Sequence, residues 1–85
     1  LDHICLSDIS EENWRAAIDA LAGAGWSLRK GGGLDFSWAV LDRDGMRIDM
    51  DYDIWRDGEM VFAKSHASTI RADLPTELVA ELTMA

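Results

Sequence analysis

The chain has 85 residues, 16 acidic against 8 basic, and a formal net charge of −8. That length allows one domain, residues 1–85, burying about 60–65% of its unfolded surface. The charge excludes nucleic acid, whose phosphates demand a lysine- and arginine-rich face, and sets the chain against anionic membrane surfaces. The one cysteine, Cys5, permits no intrachain disulfide and points to a reducing, cytoplasmic setting. No apolar run approaches the roughly 20 residues of a membrane span, and no secretion signal pattern opens the chain. Four Trp, two Phe, one Tyr and four Met supply enough bulk for a small core without metal or disulfide.

Leu1 to Leu6 is a short apolar strand. Ser10 has the character of an N-cap, with Glu11 and Glu12 in the first turn where the helix dipole favours acids. Ile9 and Trp14 have the spacing of a hydrophobic staple, and Trp14, Ala17, Ile18 and Leu21 form one helical stripe. Gly23 and Gly25 are expected to end that helix in left-handed conformations. Trp26 to Lys30 is a second strand, and Gly31 to Gly33 a flexible loop, since no lysine or helix follows to make a phosphate cradle.

The centre reads as a three-strand meander. Gly45 to Trp55 alternates Met46, Ile48, Met50, Tyr52 and Ile54 with Arg47, Asp49, Asp51, Asp53 and Trp55, which is the pattern of one strand with two unlike faces. Arg43-Asp44-Gly45 and Arg56-Asp57-Gly58 repeat one tripeptide thirteen residues apart, each a hairpin signal. A two-residue Asp44-Gly45 loop would leave Phe36, Trp38 and Val40 opposite the aspartates. A three-residue loop with Gly45 as the bulge pairs Val40 with Ile48, Trp38 with Met50 and Phe36 with Tyr52. The second choice gathers the bulky residues, so it is the expected register. The same loop at Gly58 pairs Ile54 with Met60 and Tyr52 with Phe62. Arg43 and Arg56 are expected to be exposed turn residues. His66 to Ala72 is a loop or short helix, and Pro75 opens a terminal helix with Leu74, Leu78, Val79 and Leu82 on its apolar stripe.

The expected fold is α+β in the order β-α-β-β-β-β-α, a two-layer domain with an antiparallel sheet of four to five strands and helices on one face. The other face would then hold Ala39, Leu41, Trp55, Val61 and Ala63 around Arg47, Asp49, Asp51 and Asp53. Such a mixed surface suits a non-catalytic interaction module, with Asp49, Asp51, Asp53, Trp55 and Leu41 meeting a protein partner or a second copy, and no cofactor. The alternative is a solvated face, because aspartates about 7 Å apart repel by well under 1 kcal/mol in water. Cys5 and His3 share a strand face, so a thiolate–imidazole pair is conceivable, but a buried, inert cysteine is the expected case.

Leu1-Asp2-His3-Ile4 opening a strand before a helix, with Asp42 to Met50 closing one, resembles a single βαβββ module of the vicinal oxygen chelate family (glyoxalases, ring-cleaving dioxygenases, bleomycin-resistance proteins). The resemblance covers residues 1–50. It implies a divalent metal held by a histidine of the opening strand and an acid of the last, here His3 and Asp49, with a dimer supplying the second half-site.

Overall fold

The computed structural model describes residues 2–76 and Leu78. The expectations for Leu1, Val79 and Leu82 lie outside these residues. Five strands form one antiparallel sheet: β1 (His3–Ile9), β2 (Ser27–Gly32), β3 (Phe36–Arg43), β4 (Met46–Asp53) and β5 (Asp57–Ala63), in the order β1-β5-β4-β3-β2. Helix α1 (Glu11–Gly23) connects the two edge strands across one face, and a 3-10 turn (Lys64–His66) leads into α2 (Ala67–Asp73). The fold is the expected α+β class, with the helices packed on the sheet. No helix is long and apolar enough to cross a membrane among the described residues.

Helix α1 begins and ends as its sequence dictates. The Ser10 side chain accepts the Asn13 N–H at 3.2 Å, satisfying one of the free amides of the first turn. At the other end Gly25 takes φ +102°, so the Trp26 N–H returns to the Leu21 carbonyl and the Gly25 N–H to that of Ala22. This is the Schellman arrangement, and the left-handed position is Gly25 alone. Trp14, Ala17, Ile18 and Leu21 are buried together with Leu6, Ile48, Met50, Met60, Phe62 and Ile70. Trp26 joins them, its indole N–H donating to Asp73 at 3.0 Å.

The β3–β4 register corrects the expectation. Leu41 pairs with Ile48, Ala39 with Met50 and Ser37 with Tyr52. Asp44 at φ +51° and Gly45 at φ +82° are both left-handed, which makes the tight two-residue turn whose twist matches the strands it joins. Aspartate tolerates that conformation, so no third loop residue is needed. Leu41 and Ala39 are therefore fully buried on the helix side, while Phe36, Trp38 and Val40 turn to the other face. The bulk that Phe36 and Trp38 were expected to give the core comes instead from Trp14 on α1 and from Trp26.

The second hairpin keeps the expected faces with a different pairing. Met50 pairs with Met60 and Ile48 with Phe62, four residues from the expected partners Ile54 and Tyr52, so the alternation is preserved. The turn is Ile54-Trp55-Arg56: the Arg56 N–H reaches the Asp53 carbonyl at 3.1 Å, and Asp57, at φ +62°, takes the bulge position expected of Gly58. Ile54 thus leaves the strand and is half-exposed. Gly58 has another task, for a Cβ there would lie 2.5 Å from Trp14 Cδ1 and 3.1 Å from the Ile9 carbonyl. Gly31 and Gly32 also depart from the loop expected of them and complete β2, with the Trp38 indole lying against Gly31.

Arg43 is not a free turn residue either. Its guanidinium donates to Asp73 and to the Ala24 carbonyl, each at 3.1 Å, and stacks 5.5 Å from the Trp26 ring. One side chain from the end of β3 thereby ties the C-termini of both helices to the sheet.

Candidate functional site

With α1 and α2 on one side, no helix covers the outer face of the sheet among the described residues. The register just described sets three rows side by side upon it. Phe36, Trp38 and Val40 on β3 stand opposite Asp53, Asp51 and Asp49 on β4. Asp53, Asp51 and Asp49 in turn stand opposite Asp57, Glu59 and Val61 on β5. An apolar row thus runs along an acidic row, with a second, partly acidic row beyond. Strand alternation determines this, because the residues named alternate with buried Ala39 and Leu41 on β3, Ile48, Met50 and Tyr52 on β4, and Met60 and Phe62 on β5.

The carboxylates differ in their freedom. Asp49 accepts from Arg47 at 2.9 and 3.0 Å, an exposed pair whose attraction water largely screens. Asp53 accepts the Trp55 N–H at 2.7 Å and so holds the turn. Asp51 and Glu59 face each other across the ladder, and neither takes part in an ion pair among the described residues. Like charges directly opposite repel by up to about 1 kcal/mol in water. Cys5 lies one strand further on, opposite Val61, and is exposed rather than buried. Partial burial, then the charges of Glu59 and Asp51, push its thiol pKa up against the opposing effect of a hydrogen bond with Ser7.

Of the five residues expected to meet a partner, Asp49, Asp51 and Asp53 share this face. Trp55 sits in the turn at its end and is 80% exposed. Leu41 does not belong to the set: the two-residue turn puts it under the helices, at 0% exposure. The aromatic row is what the sequence reading missed. Its signal was present in the Asp44-Gly45 dipeptide, whose commonest hairpin is the two-residue one.

His3 and Asp49 are not brought together. They stand on β1 and β4 with β5 between them, and His3 pairs with Ala63 while Asp49 pairs with Val61, an offset that puts them about 12 Å apart at ordinary strand spacing. His3 borders a different feature, an open cleft of about 480 Å³ with Asp2, Lys64 and Ser65. No group of three or more His, Cys, Asp or Glu is placed to hold a metal among the described residues. A second cleft of about 480 Å³ lies between α1 and the β2–β3 hairpin, where Arg15, Asp19 and Lys30 mix charges and Arg15 is already paired with Glu11 at 3.0 Å. No protein-family model, curated protein or solved structure matches the chain.

Proposed function

We propose that this chain is a small, acidic, non-catalytic interaction module whose open sheet face docks a basic protein surface. The observation that supports the reading is the stacking of like charges on the uncovered face, Asp51 opposite Glu59 and Asp53 opposite Asp57. Each pair costs the isolated fold a little, and a lysine or arginine placed between its members would turn that repulsion into attraction. The apolar row beside it supplies area that a purely solvated face would not need. A second copy using the same face would set these acids against their own kind, so a basic partner fits better than a symmetric dimer. A cytoplasmic location, where Cys5 stays reduced, suits this role.

The test compares two charge reversals of equal size. Asp51→Lys with Glu59→Lys reverses the open face; Glu12→Lys with Asp19→Lys reverses exposed positions on α1. The immobilised wild type is expected to retain a partner at low salt and release it at high salt. The α1 variant should behave like the wild type, and the sheet variant should retain nothing while keeping its circular dichroism. Equal retention by both variants would show that net charge, not this face, is responsible.

A further inference from the structure

We infer that the two turns at one end of the sheet form an apolar anchor, and that the partner segment seated there carries bulky apolar side chains between lysines or arginines. The large apolar side chains left exposed among the described residues are Leu34, Phe36, Trp38, Ile54 and Trp55. They gather at one end of the molecule. The Ile54 N–H donates to the Asp35 carbonyl at 3.3 Å, joining the β2–β3 turn to the β4–β5 turn, and Phe36 pairs with Asp53 where the two strands begin to part.

Leu34 is wholly exposed and Trp55 is 80% exposed. At roughly 200 Å² for a large side chain, the five together present on the order of 600 Å² of apolar surface, the top of the range for the largest patch on a soluble monomer. Folding requires none of it: the core is closed by Trp14, Trp26 and Tyr52 on the opposite face.

Charge decides the occupant. Asp35, Asp53 and Asp57 are interleaved with the apolar side chains and outnumber the one cation of these two turns, Arg56, and Asp51 and Glu59 continue the acidic surface along the sheet. That fringe repels anionic lipid headgroups, and in a self-complementary contact it would meet itself. It attracts a segment in which cationic and apolar side chains alternate. Such a segment would place its apolar members on Leu34, Ile54 and Trp55 and its cations on the carboxylates. This inference rests on the docking role proposed above and specifies the chemistry of the partner.

Two fluorescent peptides with equal numbers of lysines separate the contributions, one alternating lysine with leucine and the other lysine with serine. Fluorescence anisotropy at low salt should show the lysine–leucine peptide binding the wild type at least roughly tenfold more tightly, as burial of one large apolar side chain allows. Leu34→Ser with Trp55→Ser should bring the two affinities together by weakening only the lysine–leucine peptide. Neither position is buried, so the fold is retained; Trp55→Ser alone should give part of the effect. A tenfold preference that survives both substitutions would overturn the anchor. So would a dimer, seen by light scattering, that these substitutions dissolve, or binding of the wild type to phosphatidylcholine vesicles that they abolish. Asp51→Lys with Glu59→Lys should weaken both peptides alike. If it weakens neither, the acidic docking role fails, while the comparison of leucine with serine still reports on the anchor.

Discussion

Leu41→Ala tests the β3–β4 register through its energetic consequence. Leu41 is fully buried, paired with Ile48 on one side and Leu28 on the other, beneath the helices. The substitution deletes three carbons at about 0.8 kcal/mol each and leaves a cavity that a close-packed core fills only in part, for a total near 3 kcal/mol. A domain of this size has about 4–13 kcal/mol in all, so much of its stability would go. Val40→Ala, one residue away on the open face and only half-buried, should cost about 1 kcal/mol or less. Urea titration followed by tryptophan fluorescence reads both. With a slope of about 1 kcal/mol/M, the Leu41→Ala midpoint should fall by roughly 2–3 M and the Val40→Ala midpoint by less than half as much. A loss below about 1 kcal/mol for Leu41→Ala, or a larger loss for Val40→Ala, would refute the register and with it the aromatic row.

Gly58→Ala forces a methyl group against Trp14 Cδ1 and the Ile9 carbonyl and should cost about 1–3 kcal/mol in a thermal melt, although the glycine has an ordinary strand conformation. Asp73→Ala orphans the buried Trp26 indole N–H and frees the Arg43 guanidinium; a loss of about 1–3 kcal/mol is expected, with Asp73→Asn recovering part of it through its amide oxygen. The Cys5 thiol, held above its ordinary pKa by partial burial and then by Glu59 and Asp51, should react slowly with iodoacetamide near pH 8. Asp51→Asn with Glu59→Gln removes two charges that oppose the thiolate, lowers the pKa and speeds that reaction; an unchanged rate would show that these carboxylates do not reach the sulfur.

Local signals carried the parts of the fold that depend on neighbours in sequence. Ser10, the Trp14–Leu21 stripe and Gly25 define α1 because a cap, a period and a left-handed stop are chemistry within one helix. The faces of β4 and β5 were equally legible, since alternation survives a four-residue shift in pairing. The β3–β4 register was not. Pairing the bulky residues of β3 with those of β4 makes the better core within the sheet alone, but Trp14 and Trp26 reach that core from outside the strands. Trp14 fills the space over Tyr52, the ring centroids 5.8 Å apart, and β3 sets small Ser37 beside Tyr52 and Ala39 beside Met50 rather than Phe36 and Trp38. Arg43 escaped for a related reason: its partners Ala24 and Asp73 are distant in sequence, and nothing at the turn advertises them. The acidic row of the candidate face is therefore legible in the alternation alone, whereas the apolar row beside it depends on the two-residue Asp44-Gly45 turn, which the long-range packing of the tryptophans favours.

The docking role is tested most directly by mapping where the partner touches. The ¹⁵N-labelled chain, mixed with the protein it retains at low salt, should show amide shift changes at Phe36 to Val40, Asp49 to Asp53 and Glu59 to Val61, reversed by added salt. Changes confined to α1 and the β2 edge, with these three rows silent, would contradict it.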